Sequence, residues 1–452
     1  GKSNENEPAN RPPQSTANRG PLSMATYIQI EDSRLLIYLW NSMLNLLDIN
    51  AINDPECFGC GIAWISRMVD MFLGINITCK QRKDGTLPAN GNSILDIFNH
   101  ELFTAAVNMN GFEEARAIAL GGLCRIFVSK CDTIFKSEYL LNFYHTLHEL
   151  LKNPNSIEET AREQVILNAA TLFACDFDGC RALITIFLPH IGIILRKPQK
   201  PRLRLAAITM LCSFISLEWH FYNAEVNASA SKLEAAAGAF AVKPKDANDK
   251  KHEQLSKLRD RLKLISTIIY DAIQTETNEY NLQKLLWCCS VFLIISSKHI
   301  SRSNPFSSSL VRTIWKHIEE EAGHWPCHVI TTAFKALAHV IEHVVCLDAM
   351  HNDSVLNWQM FIEMCKYAQV HLEPGTQFDI DSRRVLSVAC MKCLSIWLKN
   401  DPSLIITNKA VSKALRDLIR HAIKIKASRG QFIGSINADN DNVPAIQATS
   451  HT

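Results

Sequence analysis

The sequence predicts an all-α fold, an irregular α-solenoid of HEAT- or armadillo-like antiparallel helix pairs. Three observations predict it. Apolar residues recur at three- and four-residue spacing through most of the chain, sustained strict alternation is absent, and segments of helical length follow one another across mostly short connections. Asp32 and Ser33 can cap a first helix whose Leu35, Leu36, Leu39, Met43 and Leu47 share a face. Helical runs then cover 62–73, 93–109, 112–130, 136–151 and 156–175, the last opening on a capping box of Ser156 and Glu159. After Asp176 and Asp178 come 180–195, a Pro-containing break at 197–201, and 202–217. The series resumes with 255–274, 281–297, 310–320 and 328–346, and finishes with 355–370, 383–399 and 403–426. A helix of this kind buries a few large side chains at roughly 2 kcal/mol each, against an ordering cost of about 1 to 2 kcal/mol per residue, so none stands alone. Stacked antiparallel neighbours resolve this, with degenerate repeats because no strict consensus recurs.

The periodicity divides the chain into a disordered N-terminal segment (1–30), a first helical half (31–222), an Ala-rich flexible insert (223–252), a second helical half (253–427) and a disordered tail (428–452). The insert holds helix formers but few large apolar anchors. The polar, Pro-containing start without Met reads as the cut edge of a longer polypeptide.

Of 452 residues, 47% are apolar, enough for a sizeable core, and the formal charge of +2 provides little long-range field toward nucleic acid or an anionic membrane. The best membrane-span candidate, 285–295, is shorter than the roughly 18 to 20 residues a bilayer requires, so no transmembrane segment is expected. Fifteen cysteines, an odd number mostly inside apolar helical runs, read as reduced core residues of a cytoplasmic protein.

Several constellations could carry chemistry. Cys57 and Cys60 form a CxxC pair that could hold zinc, but the nearest other thiol is Cys79 and no paired His follows at finger-like spacing. Cys390 and Cys393 lie one turn apart between Leu386 and Leu394, where packing accounts for them. His145 and His148, or His339 and His343, could bring two imidazoles together on a helix. The second pair reads H-x-x-E-H with Glu342, the order of inverted zinc peptidases, but no third ligand is identifiable. Glu319, Glu320 and Glu321 read as a solvated helix end, and Gly121-Gly122 as a close approach between helices and not a phosphate cradle. Arg196, Lys197, Lys200, Arg202 and Arg204 surround the Pro break. Lys413, Arg416, Arg420, His421, Lys424 and Lys426 make the last helix basic and amphipathic, which the macrodipole near a helix C-terminus explains better than lipid contact. No catalytic, cofactor-binding or metal residue is therefore assigned, and the partner-binding residues are left open.

A set of stretches carries a resemblance. They are 65–75, 92–98 (Asn92 to Phe98), 114–117, 123–130 (Leu123 to Lys130), 139–144, 165–168 and 172–176, followed by Ala272-Ile273-Gln274-Thr275-Glu276-Thr277-Asn278 and weaker pieces in 387–402. In that order the sequence resembles the N-terminal half of the beta subunits of Ral GTPase-activating proteins, which are relatives of tuberin. The stretch between Gly74 and Asn92 is shorter than in vertebrate members, which marks a divergent relative. The resemblance implies a non-catalytic subunit that pairs with an alpha subunit to activate GTP hydrolysis by Ral-type small GTPases. In the family the GAP asparagine belongs to a mixed α/β domain of the alpha subunit, and no asparagine of this chain takes that role. A generic HEAT-type adaptor that binds peptides is the alternative reading, and a metal enzyme using His339, Glu342 and His343 a remote third.

Overall fold

A computed structural model of the protein describes residues 38–39, 42–44, 49–79, 91–107, 112–129, 134–152, 158–175, 177–197, 200–221, 247–299, 305–319, 325–343, 354–372 and 379–440. Among them the chain is all-helical, with no strand. The helices are α1 (Pro55–Cys79), α2 (Gly91–Val107), α3 (Glu113–Val128), α4 (Ser137–Leu151), α5 (Glu159–Asn168), α6 (Ile184–Arg196) and α7 (Pro201–Phe221). There follow α8 (Ala247–Thr275), α9 (Glu279–His299), α10 (Pro305–Glu319), α11 (Cys327–Glu342), α12 (Ser354–Leu372), α13 (Ile380–Asn400), α14 (Ser403–Thr407) and α15 (Lys409–Asn440).

Local chemistry sets these boundaries. Pro55, Pro201 and Pro305 occupy the first position of their helices, where a missing N–H costs nothing. Asp379 caps α13 by accepting from the N–H groups of Asp381 and Ser382, both at 2.9 Å. Asn278 accepts from Asn281 N–H at 3.1 Å to start α9. Asp54 accepts from Cys57 N–H at 2.8 Å at the start of α1.

The helices pack in two rows. α1, α3, α5, α7, α9, α11 and α13 contact one another in succession, and so do α2, α4, α6, α8, α10, α12 and α15. Hairpin neighbours such as α2 with α3, α6 with α7, α8 with α9 and α12 with α13 join the rows. A single hydrophobic core runs between them, from Ile62, Ile65, Leu95 and Phe98 through Phe127, Phe143, Phe187 and Phe214 to Phe292, Phe334, Phe361 and Trp397. Both rows continue across 222–246, which lies outside the described residues: α6 packs on α8 and α7 on α9.

Several sequence expectations need correction. The run 156–175 is not one helix: α5 spans Glu159–Asn168, a turn follows, and a 3-10 segment covers Leu172–Ala174. Its cap is Glu158 without a side-chain hydrogen bond, and Ser156 lies outside the described residues. The run 180–195 opens as a 3-10 turn, Cys180–Leu183, after Gly179 adopts a left-handed φ of 77°. α11 stops at Glu342, short of Cys346. The run 403–426 is cut at Asn408, whose Oδ1 accepts from Ala410 N–H at 2.9 Å and starts a fresh helix, α15, which runs to Asn440. In the first predicted helix Leu39 and Met43 are exposed, and burial falls on Leu44 instead. The segment 1–30 and residues 441–452 lie outside the described residues.

Among the described residues the stretch Pro55–Gly74 within α1, not 285–295, is the one long and apolar enough to cross a membrane. Its Phe58, Ile62, Ile65, Val69 and Phe72 are buried in the core instead.

Candidate functional site

Charged and polar side chains lock the rows together at a few junctions. The most buried is centred on Arg204 of α7. Its Nε donates to Glu276 Oε2 at 2.8 Å, and both side chains are almost fully buried. Nη1 donates to the carbonyls of Leu195 (3.0 Å) and Lys197 (2.9 Å), and Nη2 to the Ala272 carbonyl and Thr275 Oγ1, both at 3.2 Å. Glu276 Oε1 accepts from the N–H groups of Thr277 (3.0 Å) and Asn278 (2.9 Å), and Asn281 Nδ2 donates to the Pro201 carbonyl at 3.0 Å. One guanidinium thus satisfies carbonyls at the C-terminal ends of α6 and α8, while its carboxylate partner forms the α8–α9 turn.

A second junction joins α1, α3 and α5. Arg125 donates to Asp70 Oδ1 and Ser66 Oγ, both at 2.6 Å, and to Asn168 Oδ1 at 3.2 Å. A Cβ at Gly121 would come within 3.1 Å of Asn168 Nδ2 and 3.2 Å of Gln164 Oε1, so this glycine permits the approach of α5. At a third junction Asp96 of α2 accepts from Lys136 Nζ at 2.6 Å and from the Tyr139 hydroxyl of α4.

His190 of α6 is fully buried. Its Nδ1 accepts from Arg162 Nε of α5 at 3.1 Å, which leaves Nε2–H to donate to the Leu151 carbonyl of α4 at 2.8 Å. Burial, with the Arg162 charge adding to it, lowers its pKa below the ordinary 6.5. The unfolded chain therefore takes up this proton first as pH falls, and stability is lost from about pH 6.5 downward until the folded-state value is passed. His339 and His371 shift in the same direction, both chiefly through burial. Urea midpoints are expected to fall between pH 7.5 and 5.5, with a slope of up to about 1.4 kcal/mol per pH unit from His190 alone. His190→Gln should flatten that slope; an unchanged slope would contradict the assignment.

The sequence-flagged constellations do not assemble a chemical site. Among the described residues no group of three or more His, Cys, Asp and Glu could hold a metal ion. Cys57 and Cys60 are exposed on the first turns of α1, and the helix runs unbroken to Cys79, about 33 Å further along its axis. Cys390 and Cys393 are buried, Cys390 Sγ lying 3.6 Å from the Met364 carbonyl, and burial raises both thiol pKa values. His145 and His148 are exposed on α4. His339 and His343 do meet, ring centroids 5.4 Å apart and nearly perpendicular, but His339 also lies edge-on to Trp287 of α9 at 5.9 Å and 3.5 Å from Ser290 Oγ. That environment is aromatic packing. Glu319 ends α10, while Glu320 and Glu321 lie outside the described residues.

Of the basic cluster at the Pro break, Arg196, Lys197, Lys200 and Arg202 are exposed, and Arg204 alone turns inward. Arg204 is buried, Arg196 pairs with Asp271 at 2.7 Å and Lys200 stands 3.8 Å from Glu163. The sequence missed a different surface. Trp287, 41% exposed, projects from the outer side of the odd-numbered row, with exposed Tyr280 two turns earlier and Lys284 Nζ 5.0 Å over the Tyr280 ring. On α13, at the end of the same row, Val385 and Val388 are also exposed. Trp287 sits in the run Leu285-Leu286-Trp287-Cys288-Cys289, where an unbroken apolar string hides which face is outside.

With this geometry in place, known proteins can be compared. No family model and no solved structure matches the chain. A Rap-GAP domain-containing protein of Dictyostelium discoideum is 25% identical over 399 residues, covering 82% of this chain and 23% of that protein. The Ral GTPase-activating protein subunit beta of Homo sapiens is 30% identical over 198 residues, 42% of this chain and 13% of its own length, and the Mus musculus subunit is 28% identical over 197 residues. The chain is a divergent relative of the Ral GTPase-activating protein beta subunit. It spans less than a quarter of the length of these relatives. The stretches that carry the resemblance to the beta subunit supply several of the junction residues, namely Ser66 and Asp70, Asp96, Arg125, Tyr139, Asn168, and Thr275 with Glu276 and Asn278, while Arg204 and Lys136 lie outside them.

Proposed function

We propose that the chain is an α-solenoid of HEAT-like helix pairs acting as a non-catalytic scaffold in a GTPase-activating complex for a Ral-type small GTPase. Its role is to hold and stabilise the subunit that carries the GAP domain, the counterpart of the family's alpha subunit. The observation that carries the reading is the relatedness to beta subunits, joined to an architecture of two rows whose buried polar chemistry holds helices together. Extended stacks of this kind present long surfaces for a partner without needing a pocket. Exposed Trp287 and Tyr280 are the best anchor candidates, since aromatic side chains dominate interface energetics. A cytoplasmic location belongs to the same proposal and is supported by buried thiols such as Cys124 and Cys365, each pushed up to about 12 by burial, with no disulfide among the described residues.

The test is GTP hydrolysis by a Ral-type GTPase. The chain alone is expected to leave the intrinsic rate unchanged, and to co-purify with the GAP-bearing partner when the two are co-expressed. Acceleration by the chain alone would overturn the non-catalytic reading; a folded chain that never retains the partner would remove the scaffold role from this segment.

A further inference from the structure

The cations of the last helix stand where its dipole does not explain them. The sequence places them near a helix C-terminus, but α15 spans Lys409–Asn440, so Lys409, Lys413 and Arg416 lie in its first turns, the end at which the macrodipole disfavours positive charge. α15 closes the row that begins with α2 and α4, packing on α12 and α14. It buries Val411 and Leu418, with Ala414 and Leu415 half-buried. Facing outward are Lys409, Lys413, Arg416, Ile419, Arg420, Ile423 and Lys424. At 100° per residue these positions form one continuous strip along the helix, the isoleucines along one edge. Asp417 is the acid within this stretch, 3.7 Å from Arg420 in an exposed pair of little energetic weight. Ile419 is 47% and Ile423 62% exposed.

We propose that this face docks on an anionic lipid bilayer, its cations against the headgroup phosphates and Ile419 and Ile423 entering the boundary with the acyl chains. A row of cations spaced about one per turn suits a planar, delocalised negative surface. The strip has no aromatic anchor of the kind that dominates protein–protein interfaces. Aliphatic side chains beside cations are the pattern of interfacial helices, and the local charge escapes notice in a chain whose net charge is only +2. The inference is independent of the partner-binding reading, because Trp287 belongs to the other row.

The test is flotation of the full chain with phosphatidylcholine vesicles and with vesicles containing phosphatidylserine. Retention is expected on the anionic vesicles only, falling as salt rises, with a loss of about fivefold for each cation removed. The variant Lys413→Gln/Arg416→Gln/Arg420→Gln should lose about a hundredfold while keeping the wild-type melting temperature. Ile419→Ser/Ile423→Ser should weaken retention and leave its salt dependence intact. No retention by the wild-type chain, equal retention on neutral vesicles, or unchanged binding by the folded Gln variant would each overturn the proposal.

Discussion

Arg204→Ala is expected to destabilise the folded chain by about 3 to 5 kcal/mol, because it leaves Glu276 as a buried carboxylate without its cation. The loss extends beyond the pair. The guanidinium also satisfies the carbonyls of Leu195, Lys197 and Ala272, which end α6 and α8, and each buried acceptor left unpaired adds its own desolvation cost. Arg204→Lys should fail for the same reason, since an ammonium cannot reach acceptors on several sides as the planar fork does. An apolar pair, Arg204→Met/Glu276→Leu, should recover only part of the loss: Thr277 and Asn278 N–H would then have no carboxylate to donate to. The junction lies where α6 and α7 meet α8 and α9, midway along both rows. In a stack held by nearest-neighbour contacts, weakening the middle uncouples the ends. Urea unfolding of Arg204→Ala, followed by helicity and by fluorescence, should therefore show separate transitions, whereas a single sharp transition at the wild-type midpoint would contradict this role for the junction.

Trp397→Ala should cost about 3 to 5 kcal/mol, by a different route. Trp397 of α13 is fully buried and meets Phe361 of α12 edge-on at 5.6 Å. Removing it opens a cavity between the last hairpin's helices that rigid neighbours fill poorly. Its effect should remain local. Hydrogen exchange is expected to accelerate in α12, α13 and α15 and to stay near wild type in α1 to α5, which lie at the other end of both rows. Uniform acceleration through the chain would mean a single cooperative globule and would contradict the layered reading of the fold.

The helices were legible in the sequence because most have an apolar stripe with a three- and four-residue rhythm, as in Val329, Ile330, Ala333, Phe334, Leu337 and Ile341 of α11. Their breaks were less so. Asn408 cuts one run into α14 and α15 by offering its side chain to two backbone N–H groups, a polar residue among many whose capping role depends on backbone conformation. Arg204 looked like one cation in a surface cluster with Arg196 and Arg202, and its burial follows from Glu276, 72 residues further along the chain. The segment Thr275-Glu276-Thr277-Asn278 was recognisable, but its physical meaning, a turn built around a buried carboxylate, required the fold. Trp287 was invisible as a surface residue because Cys288, Cys289 and Leu286 around it are all buried. The basic stripe of α15 was visible, while its position at the N-terminal end of a long helix was not.

The most direct measurement is the affinity of the purified chain for the GAP-bearing partner subunit, made with wild type and with Trp287→Ala. Trp287 is partly exposed and its loss should leave the melting temperature nearly unchanged. A stable one-to-one complex is predicted, weakened on the order of thirtyfold by Trp287→Ala, as expected when an aromatic anchor worth about 2 kcal/mol is removed. Failure of the folded wild-type chain to bind the partner would contradict the scaffold account, and wild-type affinity in the Trp287 variant would contradict the assignment of this face.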